Sequence, residues 1–493
     1  MLLQAAQRFP ERAGLIKDDT VWTWETLAAR VRSAAGGLAA RGIGHGDRVL
    51  VHGRNSAALF ETMWATWMLG AVWVPTNFRL TPGEVTYLAR SSGAVAHVFD
   101  AAFPEHAAAA REAYAPRIEV TIGAGALTWE ALAASDPLDA PAEVGRDDAA
   151  WFFYTSGTTG RPKAGVLTHG QMAFVVTNHL CDLMPGTTER DVSLVVAPLS
   201  HGAGIHALTQ VARGAASVLL ESERFDAEEA WRLVARHRVT NMFTVPTILT
   251  MLTRDAAVDR HDHSSLRYVI YAGAPMYRAD QSHALAKLGL VLVQYFGLGE
   301  VTGNITVLPP HLHLDPDTPA GTCGFARTGM EIAILDGEIC VRGPAVFSGY
   351  HDDPEATAKA FAGGWFHTGD LGHLDARGFL FITGRASDMY ISGGSNVYPR
   401  EIEEALLLHP GVAEACVVGV PDAKWGEAGV AVVVMDGNAA CDEAALRAHL
   451  ETRIARYKMP ARFVAWVELP KSGYGKVAKR LVLERLRSID AIA

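Results

Sequence analysis

The sequence predicts an α/β protein with largely parallel sheets, followed by a small α+β domain. The chain has 493 residues, which is too long for one ordinary hydrophobic core, so two or more domains are expected. Strand-like and helix-like segments alternate over the first three-quarters of the chain, as they do where helices connect parallel strands. Near Gly384 this alternation changes, and the remaining length is enough for a small domain of its own.

Apolar runs of strand length recur through the N-terminal part. An amphipathic helix is predicted from Ala57 to Leu69, between the first two runs. The alanine-rich stretch from Ala101 to Ala142 is expected to form helix and surface connection. The predicted strands are RVLVHG (48–53), AVWVPTN (71–77), AHVFD (96–100), SLVVAPL (193–199), ASVLL (216–220), NMFTVPT (241–247), RYVIYAG (267–273) and VLVQYFG (291–297).

The last part of the chain has a different pattern. A Gly/Ser-rich patch, ISGGSNVYP, is followed by a charged helix that starts at Arg400. A second helix is predicted from Glu443 to Ile454. Strands are predicted at ACVVGV (415–420), AGVAVVVM (428–435) and FVAWVE (463–468). We therefore place the domain boundary at residues 385–388, between a domain of residues 1–384 and one of residues 389–493.

Composition indicates a cytoplasmic enzyme. The formal net charge is −10 and no lysine- or arginine-rich block is present, which disfavours nucleic-acid binding. Five widely spaced cysteines without a CxxC pair are typical of a reduced protein. The N-terminus lacks the features of a signal peptide, and the longest apolar stretch, Leu59 to Val74, contains Glu61 and is too short to span a membrane.

The strongest motif is WFFYTSGTTGRPKAG, from Trp151 to Gly165. An aromatic strand runs into a Thr/Ser/Gly loop that is followed by a lysine. Glycines allow backbone N–H groups to face a phosphate, hydroxyls add donors, and lysine adds charge. The GxxxxGK[ST] spacing of a Walker loop is absent. The hydroxyl run alone could equally form a surface turn; the loop residues at issue are Thr155, Ser156, Gly157, Thr158, Thr159, Gly160 and Lys163.

The full string resembles the phosphate loop of the adenylate-forming superfamily, which includes acyl-CoA synthetases and 4-coumarate-CoA ligases. Further segments resemble that family's motifs, in order, across nearly the whole chain: APLSHGAGI (197–205), YAGAP (271–275), QYFGLGE (294–300), WFHTGD (365–370), FITGRASDMYISGGSNVYPREIE (381–403) and LPKSGYGK (469–476). The resemblance implies a large N-terminal domain of α/β subdomains and a small mobile C-terminal lid. It also implies ATP, Mg²⁺ and coenzyme A as cofactors, and a small carboxylic acid as substrate.

The resemblance assigns the nucleotide and metal residues one by one. Gly273, Ala274 and Pro275 would lie along adenine, with Phe296 stacked on the ring and Tyr295 and Gly297 beside it. Asp370 and Arg385 would bind the ribose, because a carboxylate can accept hydrogen bonds from both hydroxyls. Glu300 and Thr155 would hold Mg²⁺. Read alone, each of these residues could be structural.

The remaining assignments concern catalysis, coenzyme A and the acid. Lys476 would be a mobile catalytic lysine acting with Glu300 and His201, and Gly393 and Gly394 would allow close approach of the pantetheine arm. The acyl pocket would be lined by His201, Ala203, Tyr271, Gly297 and Val301, with neighbours at 270–272 and 301–304, among which there is no Lys or Arg. We therefore expect an apolar monocarboxylic acid, either a medium-chain fatty acid or an aryl, cinnamate-type acid.

Three positions depart from the family pattern. Gly299 replaces a threonine, which removes a hydroxyl expected near the α-phosphate, so that Gly299→Thr is expected to raise the adenylation rate. Tyr295 replaces a glycine, and Ser387 stands at the hinge, where aspartate or lysine is frequent. Gly297 stands where acetate-specific relatives carry tryptophan, which implies a deeper pocket.

The expected reaction is ATP-dependent formation of an acyl-adenylate and pyrophosphate, followed by transfer of the acyl group to coenzyme A with release of AMP. Two alternatives stay open. One is a stand-alone adenylation enzyme that loads a carrier protein, and the other is a catalytically weak nucleotide-binding relative. The sequence also leaves the oligomeric state open, a homodimer included.

Overall fold

A computed structural model describes residues 1–156, 161–274, 276–393, 395–437, 441–471 and 477–489, with only the backbone for Ser156. The strands are β1 (Ala13–Lys17), β2 (Thr20–Thr23), β3 (Arg48–His52), β4 (Val72–Thr76), β5 (Ala96–Asp100), β6 (Ile118–Ile122), β7 (Ala149–Ser156), β8 (Pro162–Thr168), β9 (Val192–Val195), β10 (Ala216–Leu219), β11 (Asn241–Thr244), β12 (Tyr268–Tyr271), β13 (Leu292–Gln294), β14 (Thr306–Val307), β15 (Phe325–Ala326), β16 (Glu331–Leu335), β17 (Glu338–Arg342), β18 (Phe366–Leu374), β19 (Leu380–Arg385), β20 (Tyr390–Ser392), β21 (Ser395–Val397), β22 (Val412–Asp422), β23 (Gly426–Met435) and β24 (Arg462–Trp466).

Helices connect most of these strands. They are α1 (Leu2–Arg8), α2 (Trp24–Ala39), α3 (Ala57–Met68), α4 (Pro82–Ser92), α5 (Pro104–Ala113), α6 (Trp129–Ala133), α7 (His169–Asp182), α8 (Gly202–Arg213), α9 (Ala227–His237), α10 (Pro246–Arg254), α11 (Arg278–Leu288), α12 (Pro354–Ala360), α13 (Pro399–Leu407), α14 (Glu443–Glu451) and α15 (Lys479–Ser488). Among the described residues, no helix is both long and apolar enough to cross a membrane.

Two largely parallel sheets form the N-terminal part. Sheet 1 has the order β6-β5-β3-β4-β7-β8, and sheet 2 has the order β13-β12-β11-β9-β10-β1-β2. Only the edge pairs β7–β8 and β1–β2 are antiparallel. The largest hydrophobic cluster joins residues of both sheets and of α2, α3, α7 and α8, so it forms the core between the two sheets. Smaller clusters cover the outer face of each sheet. The predicted α/β class is confirmed.

Two smaller sheets follow. Sheet 3 is antiparallel with the order β16-β17-β18-β19, and sheet 4 has the order β21-β20-β23-β22, with β24 parallel to β23. Two hydrophobic clusters, one on each face of sheet 4, give it a core of its own with α13, α14 and α15. Sheet 3 ends at Arg385 and sheet 4 begins at Tyr390. Residues 386–389 therefore connect the two sheets.

Local sequence explains where the two helices beside the candidate site begin. The side chain of Thr168 accepts a hydrogen bond from the backbone N–H of Gln171, and the Gln171 side chain accepts one from the N–H of Thr168. This capping box starts α7 directly after β8. Helix α8 begins at Gly202, after His201, and is capped after Arg213 by Gly214, whose φ of 71° is favourable for glycine. His201 is thereby held at the amino end of a buried helix.

Candidate active site

The ends of β7 and β8 place two of the predicted phosphate-loop residues opposite each other. In the antiparallel register Thr155 faces Lys163, and Ser156 faces Pro162. Gly157, Thr158, Thr159 and Gly160 lie outside the described residues, as does the Ser156 side chain. The hairpin therefore brings the hydroxyl of Thr155 and the ammonium of Lys163 to the two sides of one loop.

Glu300 meets Thr155 directly, although 145 residues separate them in the chain. The hydroxyl of Thr155 donates to Oε1 of Glu300 at 2.7 Å. Glu300 lies in a short 3-10 turn and is almost fully buried, and its carbonyl accepts a hydrogen bond from the N–H of Phe347 at 2.7 Å. Its Oε2 has no hydrogen bond or ion pair with any described residue. The two residues expected to hold Mg²⁺ are thus adjacent, and their oxygens are the hard ligands that this cation prefers.

Tyr350 also belongs to this group, and the sequence reasoning missed it. Its hydroxyl donates to the same Oε1 of Glu300 at 3.1 Å. Burial, followed by the nearby Glu300 charge, raises the pKa of Tyr350, so the hydroxyl stays protonated at neutral pH. The ammonium of Lys163 lies 5.4 Å from the centre of the Tyr350 ring and 3.3 Å from Oδ2 of Asp353. The only local signal was a Gly-Tyr pair before a charged helix start, which is too common to be diagnostic.

The two predicted ribose residues pair across neighbouring strands. Asp370 on β18 faces Arg385 on β19, and Nε of Arg385 lies 2.9 Å from Oδ1 of Asp370. The turn before Asp370 is held by Glu338, whose carboxylate accepts from the N–H of Gly369 at 2.7 Å and contacts Nδ1 of His367 at 2.7 Å. These contacts fix the backbone that presents the Asp370 carboxylate.

The predicted adenine residues separate into two groups. Gly273 is exposed with a φ of 83°, Ala274 is half-buried, and Pro275 lies outside the described residues. Phe296 is half-buried. Tyr295, which was expected beside adenine, instead has its ring in the core, stacked on Phe243 with centroids 6.0 Å apart and 23° between the planes. Burial raises its pKa.

The predicted acyl residues are also only partly brought together. His201 packs on Phe153, with ring centroids 4.4 Å apart, and Ala203 and Val301 are buried in the same cluster. Tyr271 instead faces the outer side of sheet 2, where its hydroxyl donates to Gln294 at 3.0 Å and accepts from Gln281 at 2.7 Å. Alternation along β12 explains this, because Ile270 and Ala272 take the inner face.

Gly297 was expected to leave depth in the acyl pocket for an acid larger than acetate. A Cβ at this position would lie 2.4 Å from the backbone C and Cα atoms of Gly303, so the space in that direction is already filled by main chain. Gly303 itself has a φ of 77° and lies against the ring of Tyr295. The structure therefore shows no open space along the Cβ direction of residue 297.

The remaining predicted residues belong to the C-terminal part. Gly393 has a φ of 57° and donates its N–H to the carbonyl of Trp425 at 2.9 Å. The Trp425 ring is half-exposed and lies beside Gly393. Gly394 and Lys476 lie outside the described residues.

Comparison with known proteins gives matches along nearly the whole chain. The AMP-binding enzyme family model matches residues 2–351, and the model of the AMP-binding enzyme C-terminal domain matches residues 401–476. A feruloyl-CoA synthase of an Amycolatopsis species is 37% identical over 98% of this chain and 98% of its own. A long-chain-fatty-acid–CoA ligase of Mycobacterium tuberculosis is 34% identical over 98% of this chain and 97% of its own.

A solved structure agrees with these sequence matches. The o-succinylbenzoate coenzyme A synthetase of Bacillus subtilis, in complex with ATP and a magnesium ion, is 31% identical with a TM-score of 0.84 and covers 97% of both chains. The fold and these relatives define an AMP-forming acid–thiol ligase. The chain belongs to the AMP-binding enzyme family, whose model matches more than half of its length.

Proposed function

We propose that this ATP-dependent ligase is a cytoplasmic enzyme that joins an apolar monocarboxylic acid to coenzyme A with the help of Mg²⁺. The acid would be a medium-chain fatty acid or an aryl acid of the cinnamate type. The contact between Thr155 and Glu300 carries the proposal, because it joins a residue of the predicted phosphate loop to a carboxylate whose Oε2 has no partner in the described part of the chain. The five cysteines are free, which agrees with a reducing compartment.

In the first half-reaction, a carboxylate oxygen of the acid attacks the α-phosphorus of ATP and pyrophosphate leaves. Glu300 and Thr155 would hold Mg²⁺, which supplies charge neutralisation on the phosphates when bound. Asp370 would accept hydrogen bonds from the ribose hydroxyls. Arg385, which pairs with Asp370, would then contact both this carboxylate and the nucleotide. Lys163 and Lys476 would add positive charge near the phosphates, where negative charge develops. The chain's main contribution is positioning.

In the second half-reaction, the thiol of coenzyme A attacks the acyl carbonyl and AMP leaves. We propose that residues 389–493 turn about Ser387 and Asp388, which withdraws Lys476 and brings Gly393 and Gly394 to the pantetheine arm. The change of sheet between Arg385 and Tyr390 supports this hinge position. The carboxylate of Asp388 lies 3.7 Å from Nζ of Lys479 on α15. The side chain of this hinge residue therefore contacts the part of the chain that would turn.

The proposal of an apolar acid as substrate is supported by the predicted acyl-pocket residues on the inner face of the sheets. Ala203, Ile270, Ala272 and Val301 are all buried and apolar. A second carboxylate buried there would need a cation. One buried cation in this core, Arg327, is already 3.8 Å from the carboxylate of Asp182, and its Nη2 donates to His179 at 3.1 Å. A dicarboxylate would therefore have to compete with Asp182 for that charge.

Pyrophosphate release with a panel of acids, with and without coenzyme A, tests the proposal. Without coenzyme A, hexanoate, octanoate or cinnamate should give pyrophosphate and acyl-adenylate. With coenzyme A, they should give pyrophosphate, AMP and a thioester. Adenylation without thioester would favour a carrier-protein-loading enzyme, and no turnover with any acid would favour a weak nucleotide-binding relative. A preference for acetate or malonate would contradict the proposed substrate class.

A further inference from the structure

We propose that Tyr350 is a positioning residue for the metal-binding carboxylate, and that its hydroxyl holds Oε1 of Glu300 so that Oε2 faces the divalent cation. This inference rests on the proposed role of Glu300 in binding the cation that accompanies ATP. It adds a residue that neither the sequence motifs nor the comparisons assign.

Two hydroxyls converge on one oxygen of Glu300, and the other oxygen has no partner among the described residues. Thr155 donates to Oε1 at 2.7 Å and Tyr350 donates to it at 3.1 Å. A carboxylate oxygen has two lone-pair sites, so two donors occupy Oε1 fully. Oε2 has no hydrogen bond or ion pair within the described part of the chain. The carboxylate is therefore oriented before any cation binds.

Tyr350 is suited to this role because its backbone is tied to both halves of the site. The segment from Phe347 to His351 runs beside β8. The N–H of Ser348 donates to the carbonyl of Val166 at 3.1 Å, and the N–H of Val166 donates to the carbonyl of Gly349 at 2.9 Å. The N–H of His351 donates to the carbonyl of Ala164 at 2.9 Å. The N–H of Phe347 donates to the carbonyl of Glu300 at 2.7 Å. The same short segment thus fixes the main chain of Glu300 and the hydroxyl that orients its side chain.

The Tyr350 ring has a second contact that can be separated from the first. Lys163 lies over the ring, 5.4 Å from its centre, and its ammonium is 3.3 Å from Asp353. A cation above an aromatic face is attracted to it. Tyr350→Phe removes the hydroxyl and keeps this ring, whereas Tyr350→Leu removes both. The two variants therefore distinguish the orientation of Glu300 from that of Lys163.

The test measures binding of Mn²⁺, as a spectroscopic substitute for Mg²⁺, to the full chain with α,β-methylene-ATP, by electron paramagnetic resonance. Tyr350→Phe should weaken Mn²⁺ binding about tenfold, the range expected for a hydrogen bond to a charged group. ATP–pyrophosphate exchange by this variant should need correspondingly more Mg²⁺ and recover much of its rate at saturation. Tyr350→Leu should also weaken nucleotide binding measured without metal, through Lys163.

Two reference variants make each outcome decisive. Tyr154→Phe removes another buried hydroxyl, bonded to Ser91 at 2.7 Å, and should leave Mn²⁺ binding unchanged. Glu300→Gln should abolish the Mn²⁺ site, and normal Mn²⁺ binding in that variant would overturn the proposed role of Glu300 itself. If Glu300→Gln loses the site while Tyr350→Phe keeps parental affinity and Mg²⁺ requirement, only the role of Tyr350 is refuted. The Mn²⁺ titration gives both the number of binding sites and their affinity. An unfolded fraction of a variant therefore lowers the number of Mn²⁺ sites and does not change their affinity.

Discussion

The ring of Phe153 occupies the space where a side chain at residue 299 would stand. A Cβ on Gly299 would lie 2.5 Å from Cδ1 of Phe153 and 2.8 Å from Cγ2 of Thr155. On its other side, Phe153 packs against His201 with ring centroids 4.4 Å apart. The glycine therefore allows a large aromatic residue to lie between residue 299 and His201 at the amino end of α8.

This packing reverses what the sequence suggested for Gly299→Thr. The substitution was expected to raise adenylation by restoring a hydroxyl. In the structure it overpacks the site, and overpacking of this kind costs about 1–3 kcal/mol. We now expect ATP–pyrophosphate exchange to fall about tenfold or more in Gly299→Thr. Combining it with Phe153→Leu should restore much of the loss, and a double variant no better than Gly299→Thr alone would argue against the steric explanation.

The sequence predicted secondary-structure elements better than it predicted side-chain contacts between residues distant in the chain. Continuous apolar runs located β3, β4 and β5 almost to the residue, because buried parallel strands are apolar on both faces. Strand β6 was missed within an alanine-rich stretch, and β1 and β2 were missed because short runs near a chain end give little periodicity.

Contacts between residues distant in the chain depend on tertiary packing, which no local sequence pattern indicates. The contact between Thr155 and Glu300 was expected through family resemblance alone, since it spans 145 residues. Tyr350, 50 residues beyond Glu300, had no such support and was not found. Tyr295 was placed by its motif position, but its ring size decides its location, because it fills the core beside Phe243 and Gly303.

A substitution at Gly297 should impair the enzyme with every acid and not redirect it to shorter ones. The backbone of Gly303 lies 2.4 Å from where the new Cβ would stand, and backbone cannot move aside as a flexible side chain can. We expect Gly297→Ala to lower kcat/KM for acetate, hexanoate and cinnamate alike and to lower the Tm. Gly83→Ala on α4, where a Cβ would meet nothing within 4 Å, is the matched control. A gain in acetate activity for Gly297→Trp would restore the pocket-depth interpretation.

His206 should make the protein lose stability in mild acid. Burial lowers the pKa of His206 to about 4, and the neutral ring contacts Asn241 at 2.9 Å. Because the folded pKa lies below the unfolded value of 6.5, its contribution is complete above pH 6.5 and is lost as the pH falls towards 4. Between pH 7.5 and 5 this loss amounts to about 2 kcal/mol.

Replacement of His206 checks this through the slope of stability against pH. In His206→Gln the decline of the unfolding free energy over that interval should be about 2 kcal/mol smaller than in the parent. The absolute stability at pH 7.5 can differ, since the glutamine changes the contact with Asn241. His311→Gln, at an exposed position, is the matched control for replacing a histidine. If the curves of unfolding free energy against pH were parallel for the parent and His206→Gln, His206 would have the same pKa in the folded and unfolded states.

Lys476 should serve the first half-reaction and be dispensable in the second, because the proposed turn of residues 389–493 carries it away between them. Lys476→Ala should lower formation of acyl-adenylate by about 100-fold or more, the usual effect of losing one charge-stabilising group. Supplied with preformed acyl-adenylate and coenzyme A, the variant should form thioester at nearly the parental rate. Lys471→Ala is the matched control, since that lysine precedes Lys476 by one short segment and pairs with Glu414 at 2.9 Å. It should leave both half-reactions intact, and an equal loss of both in Lys476→Ala would show that the lysine does not leave the site.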